Sequence, residues 1–321
     1  MYRRIAVALG AGPEGRSTLR WAFAIARRAN CPLDLVRVAV PPVHGSDLYA
    51  AAVLSPSDAE RMEREAEQDL RDIADEAASA GVRATPVVLR GSVPTALTDH
   101  LRSSEADLVV MTTHDRVGVD RLLLGSVSGA VMRHAHIPAL LLRAREGDAE
   151  GYTVADAEPA VQRILVPLDG SPFSEQILAP ATTLARLMNS RLTLLSVIEP
   201  TLATAALSAG IDAAMAAPAA SPAASFESDE ERLVLESAAL ERTAARIREL
   251  DLPVDTRVII DARPAHVIVE FASEHQVDLI AMTTHGRGAL KRLMMGSVSE
   301  AVLRAASAHM LLYRPAHPAH A

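Results

Sequence analysis

The chain repeats itself, and the repeat constrains everything else. Thr112-Thr113-His114-Asp115-Arg116 returns as Thr283-Thr284-His285-Gly286-Arg287. In each copy nine further residues separate the fourth position of that word from a Gly-Ser-Val-Ser word, at Gly125-Ser126-Val127-Ser128 and at Gly296-Ser297-Val298-Ser299. Near the start, Arg4-Ile5-Ala6-Val7 returns as Arg163-Ile164-Leu165-Val166. The early offset is 159 residues and the late one 171, so the second copy carries 12 extra residues. The Ala/Ser/Pro-rich stretch 201–226 is the natural place for them. A chain of 321 residues is long enough for two domains of ordinary size. The copies place them at 1–145 and 160–315, with 144–159 as the linker.

Within each copy, short apolar runs alternate with segments of helical spacing. The second copy predicts strands over 164–168, 192–198, 254–260, 279–282 and 310–313. Between them lie predicted helices over 171–188, 229–250, a segment opened by Pro264, and 297–305. The first copy gives the same order, with strands over 5–9, 33–40, 82–89, 108–111 and 139–142. Continuously apolar strands are covered on both faces, and strands separated by helices run parallel. The expected architecture is therefore α/β: two Rossmann-like domains, each a five-stranded parallel sheet flanked by helices.

Composition removes several function classes. With 40 acidic and 32 basic side chains the formal charge is −8, which does not suit a protein that coats nucleic acid. Cys31 is the only cysteine, so intrachain disulfides and cysteine-based zinc sites are excluded. It reads as a small packing residue. Lys291 is the only lysine and stands between Leu290 and Arg292, so no G-x-x-x-x-G-K-[ST] phosphate loop exists. Neither a signal peptide nor a membrane span is expected, and a cytoplasmic location follows as the expectation. The histidines suggest no metal set. His114 and His285 each follow a predicted fourth strand, where local hydrogen bonding suits them better than acid–base chemistry.

In an open parallel sheet, ligands bind beyond the carboxyl ends of the strands, where strand order reverses. Asp169-Gly170-Ser171 follows the first strand of the second copy, and Gly296-Ser297-Val298-Ser299 opens its last helix. Gly296 lets a ligand approach the backbone, and the first amides of the helix suit an anion. Ser297 and Ser299 add hydroxyls, and Asp169 is an acceptor for ribose hydroxyls or an amino group. A plain N-cap explains Gly-Ser equally well, and a turn explains Asp-Gly-Ser.

Taken together, these words resemble the universal stress protein family. Met282-Thr283-Thr284-His285-Gly286-Arg287-Gly288 with Gly296-Ser297 is similar to its nucleotide-binding signature, G-x2-G-x9-G-[ST]. The segment from Ile164 to Ser171 is similar to its first strand and turn, and the resemblance covers both copies. It implies strand order 3-2-1-4-5 in each domain, pairing of the two domains through their fifth strands, and homodimers as an open possibility. It further implies an adenine-nucleotide site for ATP, with Mg2+ as a potential companion, in a stress-response regulator with protein partners still to be identified. A nucleotide-independent scaffold is the alternative, and at most slow ATP hydrolysis is expected.

Carried over by residue, the resemblance assigns the nucleoside contact to Asp169 and the adenine-lining backbone to Pro167 and Val197. Met282 and Thr283 lead into the signature, with Gly286 and Gly296 as its glycines and Ser297, Val298 and Ser299 as its phosphate cradle. Thr283 stands where the first signature glycine is expected. Arg287 is either an added phosphate contact or a solvated loop arginine. The first copy departs further: Gly10 replaces the nucleoside carboxylate, Thr112 the first glycine, and Asp115 the second. Its site is expected to be degenerate. No G-x-S-x-G elbow, pyrophosphatase loop or His-x-Gly-His motif accompanies either site, so the chain offers binding parts rather than catalytic ones.

Overall fold

A computed structural model describes residues 1–10, 15–39, 56–113, 125–143, 159–201, 228–284 and 295–315. Contacts divide the chain into two units, Met1–Ala160 with His309–Ala321, and Val161–Ala308. Most of the stretches 144–159 and 201–226 lie outside the described residues.

The first unit runs β1 (Ile5–Ala8), α1 (Gly15–Ala29), β2 (Leu33–Ala39), α2 (Pro56–Ser79), β3 (Ala84–Arg90), α3 (Val93–Ser103), β4 (Leu108–Thr113), α4 (Ser126–His134) and β5 (Ala139–Arg143). Its parallel pairings place the strands in the order β3-β2-β1-β4-β5. Helices α1 and α2 lie on the sheet, and α3 and α4 pack beside each other. A strand from the far end of the chain, β10 (His309–Tyr313), completes the unit by pairing antiparallel with β5, Met310 opposite Leu141. The sheet is thus mixed and mostly parallel.

The second unit runs β6 (Arg163–Leu168), a 3-10 turn (Ser174–Ile177), α5 (Leu178–Met188), β7 (Arg191–Ile198), α6 (Asp229–Arg248), β8 (Val254–Ile260), α7 (Pro264–Glu274), β9 (Leu279–Thr283) and α8 (Ser297–Ala305). Its strands are parallel, in the order β8-β7-β6-β9. The fifth strand expected of this half, 310–313, is β10, which contacts group with the first unit. Strand β9 is buried throughout and β6 from Ile164 to Leu168, as expected of central strands covered on both faces. Helix α6 starts in a capping box: the Ser228 hydroxyl accepts from the Glu231 amide at 3.1 Å, and the Glu231 carboxylate accepts from the Ser228 amide at 2.9 Å.

Several boundaries differ from the sequence expectation. The helix expected over 171–188 is split, and its α-helical part begins only at Leu178. Pro180 has no N–H, so it fits the first turn of a helix but not the interior of one begun at 171. Strands β4 and β9 run past 111 and 282 into their threonines, whose branched side chains suit a strand.

One device recurs in both units. The Asp107 carboxylate, just before β4, accepts from the amides of Arg3 (2.9 Å) and Arg4 (3.3 Å), just before β1. The Asp278 carboxylate, just before β9, accepts from the amides of Gln162 (2.8 Å) and Arg163 (3.0 Å) at the start of β6. The first and fourth strands are therefore fastened together at their amino ends.

Two buried groups near that end of the first unit give measurable expectations. Asp34 of β2 has a side chain 7% exposed, and its Oδ1 accepts from Arg4 Nη1 at 2.6 Å. Arg4→Ala leaves that carboxylate only the His100 imidazole, whose Nε2 is 4.0 Å from its Oδ2, and a loss of about 3 kcal/mol is expected in urea unfolding. Asp34→Asn leaves the half-exposed Arg4 able to reach water, and the expected loss is smaller. The reverse ranking would show that the pair is not what holds Asp34. Burial, and secondarily the charge of Asp107, pushes the Cys31 thiol up to about 11. Near pH 8 about one thiol in a thousand is then ionised. Labelling of the native protein by a disulfide reagent is expected to be slow, to rise with pH, and to become rapid in denaturant. Fast native labelling at pH 8 would contradict the burial.

Candidate functional site

Strand register brings the second unit's residues to one edge. β6 and β7 pair through Leu168 opposite Ser196, so the next step sets Asp169 beside Val197. On the other side, β6 and β9 pair at Ile164 with Leu279 and Leu165 with Ile280, and no further. Pro167, buried in β6, has no N–H with which to extend a ladder. Continuing that register levels Pro167 with Met282 and Asp169 with Thr284. Here the strand order reverses, at the carboxyl ends.

The turn after β6 is held by its own side chains. Asp169 Oδ1 accepts from the Ser171 amide at 2.9 Å and from the Ser171 hydroxyl at 2.6 Å. Gly170 has φ +74°, a left-handed conformation that a side chain would strain. Ser174 donates its hydroxyl to the Ser171 carbonyl at 2.9 Å, and the Ser171 hydroxyl accepts from the Ser174 amide at 3.1 Å. The carboxylate is thus oriented before any ligand arrives, and a carboxylate has about four acceptor positions. Sequence reasoning identified the Asp-Gly-Ser turn but missed Ser174. Its only signal was a serine five residues beyond the aspartate.

Beyond β9, Thr283 and Thr284 are buried. The Gly296 amide donates to the Thr284 carbonyl at 2.7 Å, and the Ser299 hydroxyl donates to the Thr283 carbonyl at 2.9 Å. These two bonds tie the start of α8 to the end of β9. Gly296 is the N-cap of α8, with φ −63° and ψ 146°. The first backbone bond of the helix joins the Glu300 amide to the Gly296 carbonyl at 2.9 Å. The amides of Ser297, Val298 and Ser299 therefore lie in the turn whose donors have no helical acceptor. Ser297 is exposed, Val298 half-buried and Ser299 buried. Of the two serines, Ser297 is exposed, whereas the hydroxyl of Ser299 is turned to the strand.

The structure thus gathers Pro167, Asp169, Val197, Met282, Thr283, Gly296, Ser297, Val298 and Ser299 on the carboxyl edge of one unit. Gly286 and Arg287 lie outside the described residues, as do His114, Asp115 and His285. Chemically, the edge offers amides and a hydroxyl to an anion and, across the reversal, a fixed carboxylate to donors.

The corresponding edge of the first unit is barer. Exposed Gly10 follows β1 and offers no side chain. Gly125 caps α4, and a Cβ added there would meet nothing within 4 Å. Ser128, like Ser299, is buried.

Comparison with known proteins gives the same reading of the fold. The universal stress protein family profile matches twice, at residues 1–143 and 160–314. A universal stress protein of Mycobacterium bovis is 31% identical over 213 residues, which is 66% of this chain and 63% of the relative, under two thirds of its length. One of Mycobacterium tuberculosis is 26% identical over 98% of this chain and 96% of its own. The crystal structure of a universal stress protein from Archaeoglobus fulgidus superposes with a TM-score of 0.64 at 14% identity, covering 98% of this chain and 97% of that one. The matches span both copies, and on that ground the chain belongs to the universal stress protein family.

Proposed function

We propose that the second unit binds an adenine nucleotide, ATP, at the carboxyl edge of its sheet, and that occupancy of this site is the signal the protein carries as a stress-response regulator. The observation that carries the reading is the gathering of Asp169, Val197 and the start of α8 around the place where Pro167 interrupts the β6–β9 ladder.

The donor set fits such a ligand. Amides of Ser297 to Ser299, with the Ser297 hydroxyl and the positive end of the helix dipole, suit phosphate oxygens. Asp169, held by Ser171, suits ribose hydroxyls, and the strand ends at Pro167 and Val197 supply a flat, largely apolar bed for a base. Bound ATP would supply the polyanion, and Mg2+ its charge compensation. The chain's own residues bind and orient, and no step of bond cleavage is assigned to them. Thr283, where the family signature has glycine, is buried, so its side chain narrows the approach without projecting from the protein surface. The first unit, with Gly10 in place of the carboxylate, is proposed to hold no nucleotide of its own. Location in the cytoplasm and association into homodimers belong to the same reading. Among the described residues, no helix is long and apolar enough to cross a membrane.

The test is direct. Protein purified without added nucleotide is denatured and its released adenine nucleotide counted, and Mg-ATP is titrated by calorimetry. One ATP per chain is expected, with Asp169→Ala weakening binding about ten- to a hundredfold, the cost of a lost charge-assisted hydrogen bond. Two per chain would show that the first unit binds as well. No retained nucleotide and no binding heat at millimolar ATP would favour a nucleotide-independent scaffold.

A second variant separates electrostatics from folding. The backbone at Gly296 has an ordinary negative φ, and aspartate is a good N-cap. Gly296→Asp is therefore expected to leave thermal stability unchanged or raised while abolishing nucleotide binding through repulsion of phosphate. Undiminished ATP affinity in this variant would remove the start of α8 from the site.

A further inference from the structure

The long helices of the two units correspond residue by residue. Ile5 pairs with Leu33 and Leu33 with Ala84 in the first unit, as Ile164 pairs with Leu192 and Leu192 with Val254 in the second. From Ala84 to Val254 the offset is 170 residues, and at that offset buried Leu70 and Ala77 of α2 match buried Leu240 and Ile247 of α6. The outer faces do not match. Arg64 and Glu65 of α2 are exposed and pair with Glu60 and Arg61, one turn away. Their counterparts on α6 are Val234 and Leu235, 64% and 57% exposed. Exposed Gln68 corresponds to exposed Ala238. A face that the first copy laces with ion pairs is apolar in the second.

The face is also complementary to itself. Glu231, Leu235, Ala238 and Arg242 follow one another at steps of four, three and four and are all exposed, so they form one stripe opposite buried Leu240, Ala244 and Ile247. The pairs 235/238 and 231/242 are centred on the same point of the helix, between Glu236 and Ser237. An antiparallel copy of α6, related by a twofold axis through that point, sets Leu235 on Ala238 of the partner subunit and Glu231 beside Arg242 of the partner subunit. Each contact is then made twice. A large apolar side chain meets a small one, and a carboxylate meets a guanidinium. The Glu231 carboxylate has acceptor positions enough to cap its own helix and meet that guanidinium.

We propose that this stripe of α6 is the interface through which two copies of the chain associate. The interface rests on the homodimer reading given above and is independent of the nucleotide reading. A contact made by one helix from each copy is small for a protein interface, so a dissociation constant of about micromolar order is expected. The corresponding face of α2 is expected to stay solvated, since its charges are already paired along their own helix.

Sedimentation velocity of the full-length protein across the micromolar range tests this. A concentration-dependent dimer is expected. Leu235→Gln removes the apolar contact, and Arg242→Glu sets carboxylate against carboxylate. Because each contact occurs twice, each substitution is expected to raise the dissociation constant at least about tenfold, with a native circular dichroism spectrum. High salt is expected to shrink the Arg242→Glu effect and to spare that of Leu235→Gln. Under mild oxidation, Leu235→Cys mixed with Ala238→Cys is expected to give a disulfide-linked dimer beyond what either variant gives alone, Cys31 being buried. A wild type that stays monomeric would overturn the interface and the homodimer together. If Leu235→Gln also lowered the stability of that monomer in urea, the face would be covered by the chain's own residues. A dimer that both substitutions leave intact would overturn the interface and keep the homodimer. Should either variant not fold, the mixed cross-linking decides.

Discussion

The first strand of each unit lies against the fourth, and the carboxyl edge is organised around that pairing. Sheet order reverses there, so successive crossovers leave on opposite faces and open a crevice at the strand ends. Each unit secures the pair from the amino end with one aspartate: Asp107 grips two amides before β1, and Asp278 two amides at the start of β6. A carboxylate accepting several backbone amides is a strong, directional fastening. With the amino ends fixed, the carboxyl ends can differ without loss of register.

They do differ, and the contrast explains why the two units are not equivalent. In the first, β1 pairs with β4 over three residue pairs through Val7 with Val110, and Gly10 follows. In the second, Pro167 stands in β6 where Ala8 stands in β1, the ladder stops after two pairs, and Asp169 follows. A missing N–H parts two strands, and an added carboxylate lines the gap. Two substitutions in a repeated frame shorten the ladder by one pair and set a carboxylate beside its end.

Much of this could be read from the residues, and the limits of that reading have physical causes. The repeated words located both copies, and apolar runs located the strands, because burial on both faces leaves a signal at every position. Asp107 and Asp278 were invisible, since an aspartate gripping amides more than a hundred positions away looks like any loop carboxylate. The two serines of the Gly-Ser-Val-Ser word looked interchangeable as phosphate donors. Packing distinguishes them, for Ser299 is spent on Thr283 while Ser297 faces outward. Helix periodicity ran through 171–188 because apolar spacing does not register a missing amide, and Pro180 moved the start.

The placement of β10 bears on what can be cut apart. Leu140, Leu141 and Leu142 of β5 are at most 1% exposed, and β10 pairs along that strand within the first unit. The two repeats are therefore not two separable beads. A fragment ending after β5 would leave a bare leucine-rich edge with unmet hydrogen-bonding groups, the kind of border that recruits another chain. A chain nicked between β5 and β6 would keep its last strand seated, because the contact that retains β10 is a ladder and not the linker. Continuity between the copies thus acts as a tether that supplies β5 with its partner strand at high local concentration.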